Sequence, residues 1–514
     1  MIKINSKEIA FSRPNFWNHI HFHPTDAIED AWGKAILDDV AKDKVAKYVR
    51  MYTMLEDIVS LNEDGSLAYD YSELDYRLNY LHEKGFGVVL CVNFLPAALA
   101  SDPTCCSGYK RYKGKNVFNS KPRDYREWQE VCKTVLSHLV DTFGLDVVST
   151  WYIQCWNEPN HRGFWMDNEP DWHVRSDEYL KLYDYFAEGI KSVSEKIKIG
   201  GPVLGYNFFG YPKHPGYDGV ADMAFLHKFF RHIKEETNHA NGKIGTAIDF
   251  FSMHVYGADH KFNPLDPMDS YNIAEDHINI AKEYGYGDLE MIGDEFEATT
   301  EGYLGVEHEA GFDYRNSERF VGYYFALIDI LLQKKSALSK LLICLSGGHH
   351  LTKEFGGQRT FATKSGIKLP IYNGYKLAAM LGENFLPYEN DTKVGVIPTV
   401  DDEGNVVVAL YNYTANKLKL KGTQHVAIEV ALPEGEYTVS HYRLDSDFGN
   451  TYTAWKKLGY KNDLSQMERE AVVSAGEKVL WYPEETFTGD TYTDKIVLTD
   501  DAVSVIKFTR RGNK

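Results

Sequence analysis

Trp151–Trp165 reads WYIQCWNEPNHRGFW. Its first half has the aromatic and apolar texture of a strand buried on both faces, yet it runs straight into Asn157 and Glu158 and is closed by Pro159. Proline restricts the residue before it, so Glu158 is expected in an extended backbone conformation. What a carboxylate does at the end of a buried strand depends on what ends beside it.

Seven other segments share that texture: NHIHFHP, KYVRMYTML, GVVLCVNFLP, KIKIGGPVLG, DFFSMHVYG, LEMIGDEFEA and KLLICLSGG. With VVSTWYIQCWNEP they make eight candidate strands, separated by amphipathic stretches. Tyr179, Leu182, Tyr183, Phe186, Ile190 and Val193 recur at helical spacing after Ser176, a candidate N-cap, and Phe320–Leu332 does the same after Asn316 and Ser317. Strands that are apolar throughout and alternate with helices point to a (β/α)8 TIM barrel, with a doubly wound open sheet as the alternative.

After Gly382 the texture changes to short alternating runs between Gly, Asp and Asn turns: VGVIPTV, NVVVALYNYT, HVAIEVALP, EYTVSHYRL, AVVSAGEKVLWYP, DKIVLTD and AVSVIKFTR. These read as strands of a β-sandwich, to which the alternating N-terminal MIKINSKEIAF adds another. The expected division is a catalytic barrel over 12–382 and an accessory β-sandwich over 383–514 together with 1–11. At 514 residues the chain exceeds what one hydrophobic core normally serves.

The formal charge of −18, from 56 Lys and Arg against 74 Asp and Glu, disfavours nucleic acid and anionic membrane as partners. No apolar run reaches the roughly 18 to 20 residues that cross a bilayer. The first residues lack the apolar core of a signal peptide, which leaves the compartment open between a cytoplasmic protein and an exported one whose signal has been removed. The six cysteines show no C-x-x-C pair and read as buried free thiols.

In a barrel of this kind the active site forms at the C-terminal ends of the strands. Those ends carry His21 and His23 on the first, Arg50 and Tyr52 on the second, Asn93 on the third, and Asn157 and Glu158 on the fourth. The sixth adds His254 and Tyr256; the seventh adds Asp294, Glu295 and Glu297. Two carboxylates on separate strands, Glu158 and Glu295, are what glycoside hydrolysis requires: one to protonate the leaving oxygen and one to act at the anomeric carbon. A Glu at a strand end is more often a solvated or paired group than a catalyst, so the weight rests on two acidic ends in one barrel.

These segments resemble glycoside hydrolase family 39 of clan A, whose members include β-xylosidases and α-L-iduronidases. WNEPN followed by GFW is similar to the family's fourth-strand signature, DFFSMHVYG to its sixth strand, and IGDEFEA to its nucleophile strand. YLKLYDYFAEGIKSVSEKIKIGGPVL resembles its next helix and strand, TKSGIKLPIYNGYKLAAMLG its last barrel helix, and HYRLDSDFGNTYTAWKKLG a segment of its C-terminal β-domain. The resemblance implies Glu158 as general acid/base, Glu295 as nucleophile with Glu297 as second choice, and Asn157 as a hydrogen-bond partner of the sugar 2-hydroxyl. A retaining mechanism then follows if the two carboxyl groups lie about 5 to 5.5 Å apart.

Other positions depart from the β-xylosidase pattern and bear on the sugar. Tyr52 in RMYT stands where a sugar-binding His is expected, and HIHFHP replaces a Gly-rich first-strand end. Arg359 in FGGQRTFA falls where iduronidase-like members bind the substrate carboxylate, although the basic residue that follows the sixth-strand His in those members is replaced here by Val255 and Tyr256. A guanidinium holds a carboxylate bidentately, but Arg359 serves equally well in a structural pair.

His19, His21 and His23 lie at period two and line a sugar site more readily than they hold a metal, and His349 and His350 read as sugar-binding or loop residues. No Gly-rich phosphate loop is present, so catalysis without a cofactor is expected, and the family resemblance implies no metal. Trp165, with Phe164, Trp172 and Phe208, is a candidate for stacking on a pyranose, against ordinary packing as the plainer reading. The resulting expectation is a retaining, exo-acting, β-xylosidase-like hydrolase of a glycoside or oligosaccharide, in a chain compatible with a homo-oligomer. The alternatives are an α-L-iduronidase-like, other uronic-acid or arabinoside hydrolase, and a non-catalytic carbohydrate-binding protein.

Overall fold

The eight expected strands form and close into one parallel barrel in chain order. They are His19–Phe22, Tyr48–Tyr52, Gly87–Val92, Tyr152–Cys155, Lys198–Leu204, Phe250–Tyr256, Glu290–Glu297 and Leu338–Leu345, here called barrel strands 1 to 8. Leu342 to Leu345 pair with His19 to Phe22 to complete the ring. The computed structural model describes residues 1–22, 30–106, 116–205, 222–257, 265–298, 313–345, 351–416 and 420–511.

The inside of the barrel is layered. Val89, Tyr152, Phe250, Ile292 and Leu342 form a separate buried apolar cluster with Tyr48 against it, one residue from each of six strands. Two residues further along those strands stand Arg50, Cys91, Gln154, Ser252, Asp294 and Cys344, all buried. Because strand side chains repeat with period two, one step up from a hydrophobic floor gives a polar layer at the C-terminal mouth.

Strand 4 is shorter than expected. Val147 and Val148 belong to a helical turn, Leu145–Val148, that follows Gly144, and the chain leaves the ladder at Trp156. Apolarity alone does not separate a buried strand from a buried helical turn. The next helix is longer than its periodicity suggested: Trp172–Lys191 is capped by Asp171, whose side chain accepts from the His173 amide. Ser176 lies inside that helix and donates to the His173 carbonyl.

Beyond the barrel, nine strands among the described residues form one sheet. Its longest strand, Gln424–Leu444, pairs through its first half with Ile2–Asn5 in parallel and through its second half with Val503–Arg510. The sheet thereby folds over itself and encloses its own core, with Ile2, Ile4, Val426 and Ile428 meeting Val408, Leu410, Ile506 and Phe508. Where a β-sandwich was expected, the C-terminal strands thus form one sheet with this long strand running through both arms of it. AVVSAGEKVLWYP does not form the expected strand. Gln466–Glu477 is a helix, started by a capping box between Ser465 and Glu468.

The barrel helix Glu318–Gln333 docks on this sheet. Arg319 reaches Asp501 at 2.9 Å and the Thr414 and Ala415 carbonyls at 3.1 and 2.6 Å. Asp329, on the same helix, accepts from the Tyr411 hydroxyl at 2.6 Å and from Gln333 at 2.9 Å. Burial pushes its carboxyl up to about 6, against the opposing pull of those two bonds.

A carboxyl raised in the folded state favours folding fully below its unfolded value near 3.8, and that contribution is lost as pH climbs through about 6. Two pK units correspond to roughly 3 kcal/mol at most. Asp329→Asn keeps an acceptor for Tyr411 and removes the titration. Its melting temperature relative to wild type should therefore rise between pH 4 and pH 6.5, as read by calorimetry; a gap independent of pH would reject this origin.

Candidate active site

The mouth of the barrel is organised around Arg50, which is fully buried at the middle of strand 2. Its Nε donates to Gln154 Oε1 at 2.8 Å and lies 3.1 Å from Asp294 Oδ2; Nη1 donates to Glu295 Oε1 at 2.7 Å, and Nη2 to Asn157 Oδ1 at 2.8 Å. Gln154 in turn donates to Asp294 Oδ2 at 2.7 Å. One guanidinium thus ties together strands 2, 4 and 7.

Asp294 and Glu295 are consecutive, yet both face Arg50. The ladder on both sides of strand 7 shifts register here, between Met253 and His254 on strand 6 and between Gly293 and Phe296 on strand 7 itself. Such a bulge breaks strict alternation and turns adjacent side chains to one side. Past it, Phe296 packs outward near Phe320, and Glu297 forms an ion pair with Arg315 at 2.7 Å. Glu297 is therefore engaged with Arg315 rather than with the Arg50 network.

Glu295 is gripped at both oxygens. Oε1 meets Arg50 and His21 Nδ1, the latter at 3.1 Å, while Oε2 accepts from the Tyr256 hydroxyl at 2.5 Å and lies 3.7 Å from Cys344 Sγ. Burial alone would raise this carboxyl, but the charge of His254, the hydrogen bond from His21 and the charge of Arg50 hold it well below the ordinary carboxylate range. His21 is pushed down to about 4, chiefly by burial, so its ring is neutral near neutral pH.

Glu158 is seated differently. Its backbone is in the left-handed region, φ 49°, contrary to the extended conformation expected before Pro159. Trp156 (φ 67°) and Val203 (φ 55°) are left-handed as well. Strained backbone of this kind persists only where its surroundings over-determine it. Here the Glu158 amide donates to the Val203 carbonyl at 2.8 Å, and the Trp156 amide and indole donate to the Val92 and Phe164 carbonyls. Gly205 completes the seat, because a Cβ there would stand 3.1 Å from Glu158 Cδ and Oε1.

His254 links the two acids. Nδ1 lies 2.9 Å from Glu158 Oε1, and Nε2 lies 3.4 Å from Glu295 Oε1. Burial works to lower this imidazole, but Glu295, Glu158 and Asp294 together raise it. One carboxylate oxygen of Glu158, one of Glu295 and a ring nitrogen of His254 all lie within 4.8 Å of one another.

Of the other expected site residues, Asn157 is held by its carbonyl, which turns its amide NH2 away from Arg50. Tyr52 is buried against Arg50, His21 and Phe94. Asn93 is fully buried, and neither end of its amide has a hydrogen-bond partner among the described residues. Arg359 donates to the Tyr256 hydroxyl at 3.1 Å with its guanidinium 4.7 Å above that ring. Trp165 does not join the site. It is fully buried beside Trp156 and Tyr179, and its indole N–H is taken by the Arg175 carbonyl at 2.8 Å, which leaves no ring face for a sugar.

His19 shares the inward face of strand 1 but sits a layer lower, against Tyr48. His23, Phe208, His349 and His350 lie outside the described residues. Gln154 and Cys344 were not among the expected site residues, although both stand two positions above the apolar layer, at Tyr152 and Leu342, where period two places them.

The profile of glycosyl hydrolases family 39 matches residues 1–480. A beta-xylosidase of Caldicellulosiruptor saccharolyticus is 24% identical over 479 residues, which is 89% of this chain and 88% of its own length. An alpha-L-iduronidase of Canis lupus familiaris is 28% identical over 212 residues, 41% of this chain and 27% of its own length. In fold, the chain is similar to the crystal structure of a monomeric beta-xylosidase from Caulobacter crescentus, with a TM-score of 0.80, 18% identity and 99% of each chain covered. Since the family match spans nearly the whole length, the chain belongs to glycosyl hydrolases family 39 and is a glycoside hydrolase with a carbohydrate substrate.

Proposed function

We propose that the chain is a retaining, exo-acting glycosidase of the β-xylosidase type, with Glu295 as nucleophile and Glu158 as general acid/base. The observation that carries this reading is the approach of a Glu158 oxygen and a Glu295 oxygen to within 4.8 Å. Carboxyl groups about 5 to 5.5 Å apart suit a double displacement, whereas inverting enzymes keep them roughly 6.5 to 9.5 Å apart to admit a water.

In the first step the ionised Glu295 attacks the anomeric carbon while Glu158 passes its proton to the departing oxygen. The Asn157 amide is placed to bind the sugar 2-hydroxyl. In the second step Glu158 takes a proton from water, and that water displaces Glu295. His254 holds Glu158 throughout, and the Asn93 side-chain amide, without a hydrogen-bond partner among the described residues, offers both a donor and an acceptor to the sugar.

Arg359 supports the neutral-sugar reading over the uronate one. It donates to Tyr256, which donates to Glu295, so its effect on the reaction runs through the nucleophile. The relative matched over most of its length is a beta-xylosidase, and the iduronidase matches over about a quarter of its own.

Glu295→Ala should lower turnover of aryl β-xylosides by at least about 10⁴-fold, since removing a nucleophile forfeits the covalent path. Azide should restore product formation as the inverted glycosyl azide, read by NMR; retained configuration or undiminished turnover would reject the assignment. Tyr256→Phe removes a hydrogen bond to a buried anion, worth about 1.5–3 kcal/mol. The folded carboxyl then rises, so the acid limb of kcat/KM should move to higher pH, with an expected loss of about 10- to 100-fold near neutrality. Arg359→Leu should weaken aryl xylosides and aryl uronides in similar proportion; a loss confined to uronides would favour a uronic-acid substrate.

A further inference from the structure

On the outer wall of the barrel, away from Glu158 and Glu295, two helices and the turn after them bring three ligating side chains to one point. Asp184 lies in the helix Trp172–Lys191, His232 in the helix Asp222–Glu235, and His239 four residues beyond that helix. Asp184 Oδ2 is 3.0 Å from His232 Nε2 and 2.8 Å from His239 Nδ1. The three donor atoms all fall within 4.8 Å of one another. We propose that Asp184, His232 and His239 bind a divalent transition-metal ion of the zinc type.

The surroundings of each ligand fit that role. His232 Nδ1 lies 3.2 Å from Glu236 Oε2, so the ring can donate there and keep Nε2 turned to Asp184. A carboxylate behind the far nitrogen is the usual orienting partner of a metal-bound histidine. Asp184 Oδ1 accepts from the Thr246 hydroxyl at 2.5 Å, and Thr246 is itself held by Asn238 at 3.1 Å. His232 Nε2 lies 3.0 Å from Oδ1 as well, while Oδ2 faces both imidazoles and also takes the His239 amide at 2.8 Å.

Two imidazoles and one carboxylate oxygen are a donor set for zinc rather than for magnesium or calcium, which prefer oxygen alone. Zinc–ligand bonds of about 2.0–2.1 Å in a tetrahedron put ligand atoms about 3.3 Å apart. The spacings of 2.8 and 3.0 Å therefore open by only a few tenths of an ångström. Asp184 and His232 are buried, whereas the His239 side chain is 45% exposed, which gives the ion an entry path and a fourth position for water. A bound ion would clamp the turn carrying His239 to two helices that brace strands 4, 5 and 6.

The site is tested on the full chain after treatment with a chelator. Zinc titrated into the wild type should bind at one ion per chain by calorimetry and raise the melting temperature, and Co²⁺ should give the visible d–d bands of a tetrahedral site. His239→Ala, at an exposed position that does not threaten folding, should lose at least about 100-fold in affinity together with the thermal shift; Glu236→Gln should lose about 10- to 100-fold. No binding by the wild type, or equal binding and equal thermal shift in His239→Ala, would overturn the proposal and leave the cluster as an imidazolium–carboxylate contact.

Discussion

The Arg50 guanidinium is the interaction on which the mouth of the barrel depends. A cation with no exposure to water is tolerable only when opposite charges and hydrogen bonds replace its hydration, and breaking such a set typically costs about 3–5 kcal/mol. Arg50 has Asp294, Glu295, Gln154 and Asn157 within 2.7 to 3.1 Å. Those partners come from opposite sides of the ring, so the ion pair also sets how strands 2, 4 and 7 stand relative to one another. The orientation of Asn157 follows from meeting that charge, and Arg50 adds to His254 and His21 in holding the Glu295 carboxyl down.

Two departures from regular geometry let the acids reach this centre from different heights. At strand 7 a bulge turns Asp294 and Glu295 to the same side. At the exit of strand 4, left-handed residues at Trp156 and Glu158 lift the second acid off the Arg50 network and onto His254. A regular strand would have sent one of each adjacent pair out toward the helices. Glu295 is consequently held by a full cation and a phenol, and Glu158 by a histidine that can share its proton.

The barrel was legible because its evidence is repetitive: eight apolar runs, six of them ending in polar side chains. Glu158 and Glu295 stood out for the same reason. What period two alone does not disclose is where it fails, so the joint inward turn of Asp294 and Glu295 and the left-handed Glu158 were beyond it. Trp165 shows a different limit, since an aromatic beside an acid looks the same in sequence whether its face meets a sugar or the Trp156 ring. The helix Gln466–Glu477 was readable from Ser465 and Glu468, but the alternation of AVVSAGEKV masked that cap.

Asp294 explains how the site can consume one of its charges. In the proposed first step the glycosyl ester on Glu295 is neutral, and Arg50 would be left buried and alone if Glu295 were its sole counter-ion. Asp294, 3.1 Å from Nε and bridged by Gln154, keeps the guanidinium paired through the intermediate. His254 is balanced by the same logic. Its largest favourable contribution comes from Glu295, and when that charge vanishes the newly ionised Glu158 replaces it at 2.9 Å. Arg50 and His254 thus each keep a carboxylate neighbour in both proposed steps, so neither is left buried without a counter-charge.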